Sequence, residues 1–388
     1  MGAGTSKRPS RAGVRTQAAA GDRARLRAVP SPSEQPAAPE KSSTPLSAAL
    51  PTAALASAAA QVSGTAEKLV GKFLEAADTT TNIRPRPGEI VDLAVNVLRA
   101  ALASAGLPAG EIERHVAETL AYVRRRISGE VTVDEFGFDE DYTLHVHLPV
   151  LRPLYKRWFR VEVKGVENIP ATGGALVVAN HSGTIAFDSL LTQLAVHDEH
   201  PQQRHLRMLG ADLVFQTPFL GTIARRSGST LATNPDAERL LRNGELVGVW
   251  PEGFKGVGKK FSERYKLQRF GRGGFVAAAL HAGVPIVPCS IVGAEETYPI
   301  LGNMPVVARL LGVPYVPITP TFPWLGLLGL IPLPSKWLIE FGAPVDTAAL
   351  GPQAADDPMV VFDLTDQIRE TIQQTLYSLL MERRSVFI

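Results

Sequence analysis

Three short apolar runs, separated by helical stretches, constrain the fold of this chain more than any other feature. The runs occupy residues 175–179, 245–250 and 285–292, and polar or glycine-rich residues follow each of them. Strands that alternate with helices form parallel sheets with right-handed crossovers. The sequence therefore predicts an α/β domain with a mostly parallel sheet flanked by helices. Because the carboxyl ends of parallel strands lie at one edge, residues far apart in sequence meet there.

The chain of 388 residues divides into four parts by composition and apolar spacing. They are a disordered basic tail rich in Ala, Pro and Ser (1–60), a helical hairpin region (61–130), the α/β domain (131–345) and a C-terminal amphipathic helix region (346–388). The tail lacks the apolar surface that would offset the entropy lost on ordering. Apolar stripes at helical spacing predict the hairpin helices over 88–105 and 110–127, and the last helix over about 360–384.

Composition excludes several classes of protein. The single cysteine, Cys289, excludes an internal disulfide framework and a cysteine-based zinc site, and we expect no metal site. No segment reaches the roughly 18 apolar residues of a spanning helix, and the N-terminus lacks the apolar core of a secretory signal. The net charge of +2 gives no sign of a nucleic acid partner. We therefore expect a protein that is soluble or lies on a membrane surface.

The compositions of two segments do not decide whether these segments are buried in the protein or lie at a membrane surface. Residues 147–160 combine aromatic and basic side chains, as interfacial segments do, but a core helix with a solvated basic edge explains them equally well. Residues 322–334 are almost wholly apolar, and their prolines and glycines argue against a regular helix or strand. They are either buried or a loop at the bilayer. We expect Trp324 at the bilayer surface, because large exposed apolar patches mark interaction sites.

His181 and Asp188 come just after the first apolar run, at the end of the predicted strand. A histidine takes up a proton near neutral pH, and a neighbouring carboxylate holds its ring in one tautomer and stabilises the imidazolium. No Gly-x-Ser-x-Gly turn supplies a nucleophile, so the pair suits general base catalysis on a bound hydroxyl. A loop histidine that merely bonds to the backbone is the structural alternative.

The segment Trp250-Pro-Glu-Gly-Phe-Lys255 directly follows the second run. Gly253 lets a ligand approach the backbone beside Glu252, and Lys255 adds a positive charge. The same stretch also fits the phosphate-binding loop of nucleotide hydrolases, except that Lys260 replaces the Ser or Thr that holds magnesium. A nucleotide-hydrolysing protein is therefore an alternative of a different class.

Basic residues are concentrated just after this segment. Seven Lys and Arg fall between 255 and 272, ending with Arg272, and only Glu263 opposes them. Such a density predicts an anionic ligand, for example phosphate, coenzyme A or acidic lipid headgroups. A solvated basic loop is the alternative, since runs of charge usually face water.

Taken in order, these motifs resemble those of the glycerolipid acyltransferase superfamily, which includes the lysophosphatidic acid acyltransferases. The resemblance covers roughly residues 160–345 and rests on Asn180-His181 with Asp188 downstream, on Pro251-Glu-Gly253 and on Val284-Pro-Ile-Val-Pro288. It implies transfer of a fatty acyl group from acyl-coenzyme A, or from an acyl carrier protein, to a glycerolipid hydroxyl such as that of lysophosphatidic acid. Acyl-coenzyme A would be a co-substrate, and no cofactor is expected.

The resemblance also implies a role for each matching residue. The matches are His181 with the general base, Asp188 with its orienting carboxylate, Glu252, Gly253 and Lys255 with the acceptor-binding motif, and Pro288 with the later strand motif. Arg272 belongs to the basic stretch that we expect to receive substrate phosphates. The family is membrane-associated, so we expect a peripheral or monotopic protein on the cytoplasmic side of a membrane.

The chain departs from the family pattern in three informative ways. Six residues separate His181 from Asp188 instead of the usual four, and a continuous helix would place them about 10.5 Å apart along its axis. The intervening residues must then leave helical geometry, which Gly183 permits. Phe254-Lys255 in place of Thr-Arg, and the lack of an arginine in 228–235, resemble the diacylglycerol acyltransferase-like branch, which uses neutral alcohols. A catalytically inactive lipid-binding protein of the same fold is a further alternative.

Overall fold

The computed structural model describes residues 108–387 except Pro218, together with Val95, Asn96 and Arg99. The predicted disordered tail (1–60) lies outside the described residues. So does the first hairpin helix (88–105), apart from the three separate residues just named, which are helical.

A mostly parallel sheet forms the centre of the described structure. The strands are β1 (Glu162–Lys164), β2 (Ala175–Ala179), β3 (Leu206–Gly210), β4 (Thr230–Leu231), β5 (Leu246–Val249), β6 (Ile286–Val292), β7 (Gly302–Asn303), β8 (Pro317–Ile318) and β9 (Leu338–Phe341). In the described part of the chain, seven of them form the main sheet in the order β1-β9-β6-β2-β5-β3-β4. Within this sheet β6 and β9 are antiparallel and the other paired strands are parallel, while β7 and β8 form a separate antiparallel pair. The predicted fold class is confirmed.

The three apolar runs are β2, β5 and β6, and they lie side by side in the middle of the sheet. In this register Val178 pairs with Val249 on one side and with Pro288 on the other. Strands covered by helices on both faces are apolar along their whole length, which is why the pattern was visible in the sequence. β3 lacked that pattern because it contains Arg207, a buried side chain that pairs with Asp134 at 2.7 Å.

Helices cover both faces of the sheet. They are α1 (Ala109–Ser128), α2 (Phe187–Glu199), α3 (Asp212–Gln216), α4 (Leu220–Arg226), α5 (Asn234–Arg242), α6 (Phe254–Val257), α7 (Gly274–Ala282), α8 (Pro305–Leu311) and α9 (Pro358–Glu382). A further helical stretch, 140–158, alternates α-helical and π-helical turns. The side chains of α5, α7 and α9 form the core on one face, while α2 and the stretch 140–158 form it on the other.

Two predictions about apolar segments can be compared with the structure. The C-terminal helix is α9, and its four predicted apolar positions are buried against the sheet: Leu364, Ile368, Ile372 and Leu376. Within 147–160 the side chains of Leu148, Leu151, Tyr155 and Phe159 are also buried. The core-helix interpretation of that segment is therefore correct, and the interfacial one is wrong.

The second hairpin helix is α1, which ends at Gly129 as predicted, and Gly129 adopts the left-handed conformation. Its C-terminal turn is tied to the rest of the structure by ion pairs of Arg125 with Asp141 and of Arg126 with Asp139. Further along its apolar stripe, Leu120, Val123 and Ile127 are exposed. No described helix has both the length and the apolar content needed to cross a bilayer.

Candidate active site

Asn180 fixes the start of the loop that carries His181. Its side-chain amide donates to the carbonyl of Ile291 at 3.0 Å, and its side-chain oxygen accepts from the Ile291 amide at 2.7 Å. The side chain thus takes the place of a backbone rung between β2 and β6 just past the end of β2. Because Asn180 is fully buried, this pairing holds the next residue at a defined place on the carboxyl edge of the sheet.

His181 and Asp188 are in direct contact. The ring Nδ1 of His181 lies 2.7 Å from Oδ2 of Asp188. The chain between them leaves helical geometry as the spacing required: Gly183 has a φ of 93° and Thr184 a φ of 64°. Helix α2 begins only at Phe187, so that its first turn returns the carboxylate to the ring. The wider spacing is therefore compatible with a close pair.

The surroundings of Asp188 orient the histidine. Asp188 is fully buried, and its carboxylate also accepts the backbone amides of Ser182 at 2.8 Å and Ser189 at 2.9 Å. Because this carboxylate accepts two backbone amides, its oxygens act as acceptors, and the Nδ1 that faces it is the donor in their contact. The neutral ring then has its lone pair on Nε2. The His181 side chain is 14% exposed, so part of it is open to solvent. This is the arrangement that a general base needs.

Glu252 holds the backbone of this loop. Its Oε1 accepts the amide of His181 at 2.8 Å, and its Oε2 accepts the amide of Gln268 at 2.6 Å. The residue is buried, and both carboxylate oxygens are used within the chain. The sequence indicated a substrate-binding role for Glu252. In the structure its carboxylate instead accepts the backbone amide of His181 and thereby positions the loop.

Lys259 is the counter-charge of this buried carboxylate. Its ammonium lies 2.9 Å from Oε1 of Glu295 and 3.5 Å from Oε2 of Glu252. Burial lowers the pKa of Lys259, but the two carboxylates outweigh burial and hold that pKa above its usual value. Burial raises the pKa of Glu295 to about 7, against the opposing charge of Lys259. The sequence indicated only that Lys259 belongs to a basic stretch.

Gly256 is a site residue that the sequence did not reveal. A Cβ on this residue would lie 2.6 Å from the carbonyl oxygen of His181 and 2.7 Å from Cβ of Glu252. Only glycine lets α6 pack this closely beneath the histidine. The one sequence signal was the glycine-rich run that fits a nucleotide-binding loop. That alternative is wrong, because Lys259, which would bind the nucleotide phosphates, is buried between two carboxylates.

The other predicted site residues differ in their surroundings. Gly253 precedes α6 with open space around it, and Lys255 is exposed on that helix. Arg272 is exposed on the loop before α7. Pro288 was expected in the site, but it lies inside the buried strand β6, four residues before its end. It pairs with Val178, one residue before the end of β2.

Comparison with known proteins identifies the family of the chain. The family model described as Acyltransferase matches residues 160–292, which contain the His181–Asp188 pair and Glu252. An uncharacterized protein of Mycobacterium leprae is 58% identical over 72% of this chain and 76% of its own length. An uncharacterized protein of Mycobacterium tuberculosis is 57% identical over 71% of this chain and 77% of its own length. The chain belongs to the glycerolipid acyltransferase superfamily.

The acyltransferase also has more distant similarities to proteins of other organisms. A human protein named DGAT1/2-independent enzyme synthesizing storage lipids is 26% identical over 38% of this chain and 44% of its own length. Among solved structures, the 1-acyl-sn-glycerophosphate acyltransferase PlsC from Thermotoga maritima matches with a TM-score of 0.41 and 20% identity. That match covers 70% of this chain and 98% of that chain.

Gly256→Ala tests the close packing beneath the histidine. The added methyl group must push His181 away from its place, and a displacement of about 1 Å in such a site costs about a hundredfold in rate. We expect initial rates of acyl transfer to fall by about that factor. Gly342→Ala is the control, since its Cβ would have only ordinary contacts. A Gly256→Ala enzyme with the full rate would contradict the packing argument.

Glu295→Gln tests the buried charge cluster through pH. The raised pKa of about 7 lets the folded protein keep this proton up to about pH 7, whereas the unfolded chain releases it near the ordinary glutamate pKa of 4.5. The folded state therefore binds more protons in that interval, and the ionisable Glu295 makes the unfolding free energy fall as pH rises through it. Urea unfolding measures this difference. Between about pH 4.5 and about pH 8, we expect the unfolding free energy of wild type to fall by up to about 3 kcal/mol relative to that of Glu295→Gln. Exposed Glu118 is the control position, and parallel curves for wild type and Glu295→Gln would refute the raised pKa.

Proposed function

We propose that this acyltransferase moves a fatty acyl group from acyl-coenzyme A to a glycerolipid hydroxyl, with His181 as general base and Asp188 as its orienting acid. The observation that carries the proposal is the 2.7 Å contact between the two side chains at the carboxyl edge of the sheet. Both residues also fall within 160–292, the range that the Acyltransferase family model matches, which supports the proposal. An acyl carrier protein is the other donor considered.

The proposed reaction needs no enzyme-bound acyl group. Nε2 of His181 removes the hydroxyl proton of the acceptor while its oxygen attacks the thioester carbonyl. The tetrahedral intermediate then breaks its carbon–sulfur bond, and the imidazolium returns the proton to the departing thiolate. The buried carboxylate of Asp188 stabilises the imidazolium between these two steps. A positioned base of this kind contributes on the order of 10²–10⁴ to the rate.

The acceptor is proposed as a lysophosphatidic acid-like hydroxyl, with a neutral alcohol as second candidate. Two features favour the neutral alcohol: Phe254-Lys255 stands in place of the family's Thr-Arg, and residues 228–235 contain no arginine. The human relative's name, which refers to storage lipids, points in the same direction. An assay with both acceptor classes separates the two.

His181→Ala tests the catalytic proposal. We expect acyl transfer from acyl-coenzyme A to fall by about a thousandfold, since the acceptor proton then has no base. Asp188→Asn should also lower the rate, because the amide no longer holds Nδ1 protonated. His281→Ala is the matched control, as that ring pairs with Glu238 on α5. Equal turnover by wild type and His181→Ala would rule out the mechanism. Lipid binding without any transfer would favour the inactive lipid-binding alternative.

We also propose that residues 298–331 face a bilayer, as expected for a peripheral membrane protein. Trp324 is 72% exposed, and other exposed apolar side chains of this segment are Leu301, Val306, Leu310, Leu311, Leu325 and Leu328. The segment contacts the catalytic loop, because Tyr315 donates to the carbonyl of Thr184 at 2.6 Å. A lipid acceptor held at this surface would be close to His181.

Trp324 provides the test of bilayer contact. An exposed indole that enters a membrane interface leaves water, so its fluorescence should shift to shorter wavelength when lipid vesicles are added. Trp324→Ala should weaken vesicle binding about tenfold, through the loss of buried apolar area. Met381→Ala, an equally exposed apolar position on α9, should have no effect. This segment does not face the bilayer if vesicles leave the fluorescence spectrum of wild type unchanged and if Trp324→Ala binds vesicles as tightly as wild type.

A further inference from the structure

A cavity of about 450 Å³ lies between the loop 269–273 and the first half of α9. Three arginines line it, Arg269 and Arg272 from the loop and Arg369 from the helix. Asp366 is the one carboxylate among the lining residues, and it lies 3.6 Å from Arg369. The lining therefore has an excess of positive charge, and guanidinium groups bind phosphate through paired hydrogen bonds.

Apart from Thr365 and two glycines, the rest of the lining is apolar, so the cavity suits more than an inorganic anion. Val361 and Phe362 of α9 form part of the wall. Gly273 brings the loop against that wall, because a Cβ there would lie 2.6 Å from Cγ1 of Val361. Cavities of several hundred Å³ that combine apolar walls with a few charged groups are typical of small-molecule sites. The chemistry fits a phosphorylated ligand with a ring or other apolar part.

The loop connects this cavity to the catalytic histidine. Gln268, the residue before Arg269, donates its amide to Glu252, and the same carboxylate accepts the amide of His181. The loop leads into α7, which joins the parallel strands β5 and β6. The beginning of α7 therefore lies at the carboxyl edge of the sheet, the edge where His181 lies. A ligand bound here can extend along that edge to the histidine.

We propose that this cavity binds the phosphorylated nucleotide end of the acyl-coenzyme A donor. The arginines contact its phosphates, the adenine ring packs against Phe362, and the pantetheine arm carries the thioester to His181. This inference rests on the proposed function, and it assigns Arg272 to the donor and adds Arg369 from α9. A phosphate of the acceptor headgroup shares the same chemistry, and an experiment must separate the two sources.

Calorimetric binding of free coenzyme A tests the site directly. We expect the double variant Arg272→Gln/Arg369→Gln to bind coenzyme A at least about tenfold more weakly than wild type. The control Arg124→Gln/Arg384→Gln, which removes two exposed arginines elsewhere, should stay within about twofold. Asp366→Asn should bind coenzyme A more tightly, because it removes the carboxylate beside Arg369. A gain in affinity cannot come from a damaged fold. Unchanged coenzyme A affinity in the double variant would overturn the proposal.

Two further ligands identify the source of the phosphate. Removal of the 3′-phosphate, in dephospho-coenzyme A, should cost more affinity in wild type than in the double variant. Glycerol 3-phosphate, the headgroup of a lysophosphatidate, should bind both proteins equally. If the double variant loses glycerol 3-phosphate but keeps coenzyme A, the cavity belongs to the acceptor and the proposal is wrong.

Binding is measured without turnover, so the proposed function can fail separately. His181→Ala should keep the coenzyme A affinity of wild type while losing acyl transfer. Equal turnover by His181→Ala would refute the mechanism, and it would leave the effect of the arginines on coenzyme A affinity intact.

Discussion

The carboxylate of Glu252 is the group on which the geometry of the site depends. One oxygen holds the amide of His181 and the other holds the amide of Gln268, so a single buried side chain joins the loop of His181 to the loop of the arginine cavity. A buried carboxylate is costly unless it is paired and hydrogen-bonded. Lys259 supplies the pairing, and Glu295 shares that lysine. Burial strengthens the attraction between these charges. For the same reason, the loss of one partner would leave an unpaired charge inside the protein and destabilise it.

Much of the fold could be predicted from the sequence because its central strands are apolar throughout. β2, β5 and β6 are buried on both faces, and their continuous apolar runs marked them. β3 was missed because Arg207 interrupts it, and a buried arginine paired with Asp134 cannot be recognised without the partner. From the sequence, the His181–Asp188 contact could be predicted only if the chain between the two residues leaves helical geometry. Gly183 and Thr184 meet that condition with positive φ angles.

The roles of the other site residues could not be predicted from residue type, because residue type does not tell whether a side chain faces the ligand, the solvent or the protein interior. Glu252 and Lys259 are charged, and charged side chains usually face solvent or ligand, but here they face each other inside the protein. Gly256 and Gly253 belong to one glycine-rich run, yet only Gly256 lies against His181. Arg272 was identified from charge density alone, whereas Arg369, about a hundred residues later on α9, reaches the same cavity only through the fold.

The tautomer of His181 tests the central claim most directly, because the whole arrangement serves to leave Nε2 free to accept a proton. Nitrogen chemical shifts of the imidazole, in protein labelled at histidine and assigned by comparison with His181→Ala, report which ring nitrogen carries the hydrogen. At a pH where the ring is neutral, we predict a protonated Nδ1 and an unprotonated Nε2 for His181. A ring that carries its hydrogen on Nε2 would show that Asp188 does not orient it, and would contradict its use as a general base.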